Sequence, residues 1–579
     1  MAGWAISASG ETVRPCKVKI EGTGSRALSR ELLSVSETWS LRNRPPPTLR
    51  LLRRRAERDA QTMLLALRAK GYYAAEVKPA CVPHKRKTRV TFRVRAGPLF
   101  LIRSVAIGCA GRPIPESVRL PTPARLGLTT NAPARAETIL AAEQLVRHHF
   151  QAGGFPKARL SDHAVVVDHA ARRVDISFQV EPGPLVLFGP TRIQGLVRLH
   201  ESHVRRLVPW REGDLYNVEQ VELLRNRLTR GGLFSSVQIE SGKALEADDR
   251  SAVSLTLKER RRRLVEAGVG YATDRGAGTR ISWMHRNLFG GAERLHLQAE
   301  VSESIVSAEV TFRRPQFLRA DQELVLDVKA ERETAEAYTS QWIRAAAGLE
   351  RTLSESLQVQ AGLAFRLSEV KQEEKEEFFL LSVPVRLLRD TSNDLLDPTR
   401  GTRWTLLGSP SYDLLNHDMA FLRVQATAAG YWRIAKRPLL VLAGRLAAGS
   451  LLGPSRNDVP ADERFYAGGG GSIRGYAYQE VGPLDDENDP VGGRSLLESS
   501  LELRWRAMER MGFVLFADGG TAFEETVPDF DERFRWGAGA GWRYYLSFGL
   551  VRFDVAVPLD KRPDVDEPYQ VYLSIGQAF

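Results

Sequence analysis

The sequence predicts an α+β arm of three β-α-α-β-β units followed by an antiparallel transmembrane β-barrel of about sixteen strands. Three observations carry this. A helix-then-glycine pattern recurs three times in the N-terminal part. The hydrophobic period changes to two residues from Leu264 onward. The charge balance changes sign at the same place: residues 1–262 carry 45 Lys and Arg against 24 Asp and Glu, and residues 263–579 carry 37 against 46.

The recurring pattern is an amphipathic helical stretch, then glycine, then a bulky residue. It reads LRAKGYY at Gly71 and Tyr72, FQAGGF at Gly154 and Phe155, and LTRGGLF at Gly232 and Phe234. In the third copy Val218, Val221, Leu224 and Leu228 fall on roughly one helix face. The glycine suits a left-handed helix C-cap. Two strands follow each helix: Ala75–Val77 and Arg89–Val94, then Ala158–Leu160 and Arg173–Val180, then Ser236–Ile239 and Ala252–Leu257. The junctions RAGPLFLIRSVAI and EPGPLVLFGPTRI repeat a Gly-Pro-Leu hinge. The predicted divisions are an N-terminal segment 1–15, units 16–97, 98–183 and 184–262, and a barrel 263–579. The run Glu259–Arg263 marks the last boundary and suits either a solvated linker or a collar facing lipid headgroups.

In the second half, Val551, Phe553, Val555 and Val557 alternate with Arg552, Asp554 and Ala556. Val571, Leu573 and Ile575 alternate with Gln570, Tyr572 and Ser574. A lipid-facing barrel strand requires this alternation, whereas a membrane helix needs a long apolar run that is absent here. Charged residues recur on the inward parity, and Trp and Tyr stand near strand ends, as interfacial girdles do.

Apolar residues make up 43% and charged residues 26%, ordinary usage for folded chains. The basic arm fits contact with anionic lipid or an acidic partner, and equally an Arg-rich solvated surface. No zinc spacing, RNA-recognition signature or aromatic-interleaved basic stripe supports nucleic-acid binding. No GxSxG, HExxH or Walker loop is present, and His285, His296 and the other histidines lack ligand spacing. A non-enzymatic protein without metal or cofactor is expected. Cys16, Cys81 and Cys109 lack metal spacing; a Cys16–Cys81 disulfide is chemically permitted in an oxidising compartment, and unpaired small residues are the alternative. The opening MAGWAISASG has neither a basic start nor an apolar core, so export information is not legible there.

Several motifs then stand in a familiar order. GGGGSIRGY ends in Arg474, Gly475 and Tyr476. RDTSNDLLDPTRGTRW holds Asp397, Pro398 and Gly401; SLELRW spans 500–505; FADGG holds Phe516 and Gly520; VYLSIGQAF ends at Phe579. Together they resemble the BamA/TamA superfamily of outer-membrane assembly factors, and the arm units resemble POTRA domains. Ser547-Phe548-Gly549 departs from the family's Ser-Pro-x-Gly turn. Three arm units resemble the TamA-like branch, where the BamA branch typically has five.

The resemblance implies a loop whose Arg-Gly-aromatic tip enters the barrel lumen. The loop, from about Asn457 to Arg494, is far longer than a hairpin connection. Strand parity places Glu502 and Asp518 inward, so an Arg474–Glu502–Asp518 cluster is expected, the alternative being a surface tip beside two unrelated lumen acids. The resemblance further implies a lateral gate between the first strand, around Val265–Tyr271, and the last, Tyr569–Phe579. Gly268, Gly270 and Gly576 would weaken that seam or merely relieve crowding; Tyr271 and Phe579 border it. Implied partners are unfolded outer-membrane clients such as autotransporters, a TamB-like inner-membrane-anchored protein, and outer-membrane lipid. Rival readings are a lipid-transport bridge and a two-partner-secretion channel.

Overall fold

A computed structural model describes residues 15–84, 87–110, 119–241, 249–273, 276–415, 419–529, 531, 534–546 and 549–576. Contacts divide the chain into two compact units. One holds most of the arm, and the other holds the barrel together with Gly195–Leu207 and Leu228–Ser236.

The arm contains three sheets of three strands. The first unit runs β1 (Cys16–Glu21), α1 (Arg26–Ser34), α2 (Glu37–Ser40), α3 (Leu49–Ala69), β2 (Glu76–Val82) and β3 (Thr88–Arg95), with sheet order β1-β3-β2. It has one more short helix than expected, and a buried carboxylate makes that helix. Asp59 of α3 accepts hydrogen bonds from Ser36 Oγ at 2.6 Å, Glu37 N at 3.0 Å and Thr38 N at 2.8 Å, satisfying the free N–H groups that start α2. Leu52, Ala56, Met63 and Leu67 form the buried stripe of α3 against Val90, Phe92 and Val94 of β3.

The second unit runs β4 (Leu101–Cys109), α4 (Ala136–Ala152), β5 (Arg159–Asp168) and β6 (Arg173–Glu181), in order β4-β6-β5. The first of its two expected helices is not present among the described residues. The third runs β7 (Leu187–Gln194), α5 (Glu201–Arg205), α6 (Val218–Arg230), β8 (Phe234–Glu240) and β9 (Arg250–Glu259), in order β7-β9-β8. In each sheet the first strand lies parallel to the last, which needs a helical crossover and explains the helix between them. Gly71 and Gly154 follow α3 and α4 at φ +96, where a side chain is disfavoured.

The permitted disulfide does not form. Cys16 pairs with Thr88 and Cys81 with Val90, on opposite sides of β3, and neither is in a disulfide. Two strand spacings, about 9–10 Å, exceed disulfide reach.

The barrel begins with β10 (Arg263–Ala272), β11 (Gly276–His285), β12 (Arg294–Ser302), β13 (Ile305–Arg314), β14 (Gln322–Thr334) and β15 (Thr339–Ser354). It continues through β16 (Leu357–Lys371), β17 (Lys375–Ser382), β18 (Val385–Asp390), β19 (Gly401–Asp413), β20 (Ala420–Lys436) and β21 (Leu439–Leu452). It ends with β22 (Ser495–Arg506), β23 (Met511–Phe523), β24 (Arg535–Tyr545), β25 (Leu550–Pro558) and β26 (Gln570–Gly576). Every neighbour pair is antiparallel and the ring is closed. β17 and β18 both bridge β16 and β19, so they are one strand interrupted at Val383-Pro384. Proline cannot donate to the ladder, which accounts for the break. The barrel therefore has sixteen strands.

Alternation sorts the two faces. Val306, Val310, Leu363, Leu367, Leu501, Leu515, Phe553 and Val557 are exposed on the outer face, whereas Asp518, Asp554 and Ala556 are buried. An outward apolar band with buried inward charges is the inverse of a soluble sandwich.

Candidate functional site

The site is built from the segment between β21 and β22, residues 453–494, which enters the lumen. Val459, Phe465, Ile473, Tyr476 and Val481 of this segment are buried in one apolar cluster with Tyr338, Phe378, Phe421, Leu451 and Leu496 of the wall. Burial of these side chains drives the loop inward, at roughly 1.5–3 kcal/mol for each large one.

Polar contacts then fix its tip. Arg474 is 5% exposed. Its Nε and Nη2 donate to Asp518 Oδ2 at 2.6 Å and Oδ1 at 2.9 Å, a forked pair. Nη1 lies 2.9 Å from Glu502 Oε1 and 3.8 Å from Asp554 Oδ2. The guanidinium centre sits 3.5 Å from the ring centroid of Phe516, so the motif phenylalanine is the floor beneath the cation. Ser500 Oγ donates to Asp518 Oδ1 at 2.6 Å and occupies a further lone pair. A buried arginine is tolerable only with such partners on nearly every donor.

Gly475 adopts φ +106, and a Cβ there would lie 2.8 Å from the backbone of Val557. Its N–H donates to Tyr572 Oη at 3.3 Å, tying the tip to β26. The fully buried Tyr476 donates from its hydroxyl to Trp536 O at 3.0 Å. Gly520 faces β22 so closely that a Cβ would meet Leu497 O at 2.3 Å.

A second attachment lies nearer the start of the loop. A 3-10 turn, Ala461–Glu463, presents Asp462 and Glu463 to Arg366 of β16. Ser340 Oγ donates to Asp462 Oδ2 at 2.5 Å. Arg366 also stacks on Trp342, 4.7 Å from the ring centroid. Tyr338 and Tyr478 both donate to Glu333, each at 2.9 Å.

The sequence reading names Arg474, Gly475, Tyr476, Glu502, Asp518, Phe516 and Gly520, and the fold brings all seven to one region of the wall. It omits Asp554, Ser500, Tyr572 and the Arg366 attachment. For Asp554 and Tyr572 a signal existed: both hold the inward parity of their strands.

The predicted seam residues divide. Among the described residues Val269–Ala272 of β10 pair with Ile575–Tyr572 of β26, and β10 pairs with β11 over ten positions. Gly270 faces Ser574 and Tyr271 faces Leu573. Gly268 pairs only with Arg280 of β11 among the described residues, and Gly576 pairs with Leu550 of β25. Phe579 and the Ser547-Phe548 turn lie outside the described residues. A cavity of about 490 Å³ lies between the seam and the loop, lined by Gly270, Tyr271, Gly470, Tyr572 and Ser574 among others.

A sixteen-stranded barrel with an apolar exterior, an arginine-tipped loop in its lumen and an α+β arm defines an outer-membrane protein with periplasmic POTRA domains. Residues 287–579 match the Omp85 superfamily domain, and 186–260 match the POTRA family described as a surface antigen variable number repeat. The chain belongs to the Omp85 superfamily. It is similar to the outer membrane protein assembly factor BamA of Nitratidesulfovibrio vulgaris, 25% identical over 97% of this chain and 73% of that protein. It is also similar to BamA of Neisseria meningitidis serogroup B, 22% identical over 70% of this chain and 58% of the relative. In fold it resembles BamA from Haemophilus ducreyi lacking POTRA domains 1-3, with a TM-score of 0.61 and 19% identity, covering 82% of this chain and 100% of that one. CdiB from Acinetobacter baumannii follows at a TM-score of 0.53 and 14% identity, covering 83% and 90%.

Proposed function

We propose that this chain is a non-enzymatic insertase that assembles β-barrel clients, autotransporters among them, through a lateral gate between β10 and β26. The observation that carries this is the seam. Among the described residues β10 joins β26 at four positions, Val269–Ala272, and in this proposal that join parts so that β10 offers backbone N–H and C=O groups to an incoming strand. The adjoining cavity gives such a strand a polar lumen side, through Ser574 and Tyr572, while its apolar face meets lipid.

The finer reading is the TamA-like branch, with arm units at 16–97, 98–183 and 184–262. In this reading the arm receives unfolded clients and docks a TamB-like inner-membrane-anchored partner. The segment 453–494 packs against the lumen wall, and an open export channel would need it displaced.

Photo-reactive residues at Val265 and Tyr271 test the gate in cells secreting an autotransporter. Crosslinks to client strands are expected; none under active assembly rejects it. A large steady single-channel current would favour the channel instead.

A further inference from the structure

The barrel's periplasmic rim carries a second built site. The chain enters β10 from the arm, so β11 descends to the periplasmic side and the turns 286–293 and 315–321 both lie there. Against these turns packs the segment Gly195–Leu207, part of the same compact unit. It is held by His200 N donating to Gly290 O at 2.8 Å and Gln316 Nε2 donating to His203 O at 3.1 Å. Glu259 Oε1 accepts the N–H groups of Val197, Arg198 and Leu199 at 2.9, 3.0 and 3.0 Å.

Between these pieces lies a cavity of about 460 Å³. Arg206, Arg314 and Arg319 line it, all three exposed, and among the described residues none forms an ion pair. Glu293 also lines the cavity, its Oε2 held by Phe289 N at 3.3 Å and Gly291 N at 2.9 Å. Gln316 is buried in the wall of the cavity, and its Oε1 has no hydrogen-bond partner. Gln316 and Leu318 hold left-handed backbone, φ 54 and 61, which side-chain-bearing residues disfavour. That conformation sets the Gln316 amide in the wall and leaves Leu318 81% exposed.

The outer side of the site is apolar. Phe289 is 70% exposed and its ring lies 6.4 Å from that of Phe312. Phe312 shares the parity of Val306 and Val310, which face lipid. Three unpaired cations and one unpaired acceptor thus border the end of a lipid-facing surface.

We infer that this cavity binds the headgroup of a periplasmic-leaflet phospholipid. The arginines take the phosphodiester, Gln316 Oε1 accepts from a donor on the headgroup, and the acyl chains run past Phe289 and Phe312. Guanidinium groups suit phosphate oxygens. The free Gln316 oxygen selects phosphoethanolamine or phosphoglycerol over phosphocholine, which carries no N–H or O–H donor. This site is separate from the seam and does not depend on what the gate assembles.

Native mass spectrometry of the full chain tests it, with phosphatidylethanolamine, phosphatidylglycerol, phosphatidylcholine and soluble glycerophosphoethanolamine as probes. One phosphatidylethanolamine or phosphatidylglycerol should stay bound, with phosphatidylcholine about tenfold weaker. Arg206→Ala/Arg314→Ala/Arg319→Ala should lose the lipid while retaining the heat-modifiable gel mobility of a folded barrel. Gln316→Leu should keep lipid binding and lose the headgroup preference. Unchanged occupancy in the triple variant, equal binding of phosphatidylcholine by the native chain, or equal binding of the soluble glycerophosphoethanolamine would overturn the proposal.

Discussion

Arg474 grips Asp518 through two parallel hydrogen bonds, Nε to Oδ2 at 2.6 Å and Nη2 to Oδ1 at 2.9 Å, at a position where Asp518 has no solvent exposure. Removing Arg474 leaves Asp518 a buried charge without its counter-ion, which costs about 3–5 kcal/mol; removing Asp518 costs less, because Glu502 still faces the guanidinium. Arg474→Lys keeps the charge and loses the fork, so it should be nearly as damaging as Arg474→Ala. A double-mutant cycle with Asp518→Asn, read as urea midpoints in detergent, should give a coupling above about 1 kcal/mol. Additive losses would mean that the pair does not hold the loop.

Gly475→Ala should detach the tip without altering any charge. The new Cβ would meet the Val557 backbone at 2.8 Å in a left-handed conformation, at a cost of about 1–3 kcal/mol. Gly471→Ala is the control, since a Cβ there meets nothing within 4 Å. External protease should cut the loop of Gly475→Ala faster than that of Gly471→Ala.

Much of this site was legible because a strand has a period of two. The outward Leu501 and Leu503 force Glu502 inward, and Leu515 does the same for Phe516. Parity says which face a residue occupies but not its height on the wall or its neighbour across the lumen. Asp554 was therefore visible as an inward acid but not as a partner of Arg474. The Arg366 attachment joins residues 96 and 97 positions apart in a way no local period encodes. In the arm, helix count was harder to read than strand count. The four-residue α2 lacks a helical period of its own; Ser36 caps it locally, and Asp59, 22 residues from Glu37, takes its first N–H groups.

The Arg366 attachment should carry its own share of loop retention. Arg366→Ala leaves Asp462 and Glu463 adjacent in the lumen without their main counter-charge. A cysteine at the buried Ala461 should label slowly with maleimide in the native background, and several-fold faster with Arg366→Ala. Equal labelling would show that the apolar cluster alone holds the first part of the loop.

Docking of Gly195–Leu207 on the barrel should depend on pH. Burial holds His203 neutral, with its pKa lowered from 6.5 to about 4; Glu293 opposes the shift and Arg206 adds to it. The undocked imidazole takes a proton near pH 6.5 and the docked one only near 4, so the undocked state binds more protons between those values. Stability is complete above 6.5 and falls as pH drops toward 4, by roughly 3 kcal/mol at the limit. Hydrogen-exchange protection of residues 195–207, corrected for intrinsic rates, should fall across that window. Substituting His203→Gln should remove the dependence.

The seam is the centre of the functional account, and a crosslink across it is the most direct test. Gly270 and Ser574 face each other between β10 and β26. With Cys16, Cys81 and Cys109 replaced by serine, the Gly270→Cys/Ser574→Cys chain can be oxidised in proteoliposomes and supplied with an unfolded barrel client. The expected result is that assembly stops when the disulfide forms and returns when reductant is added. Full assembly with the seam covalently closed would contradict a lateral gate between these strands.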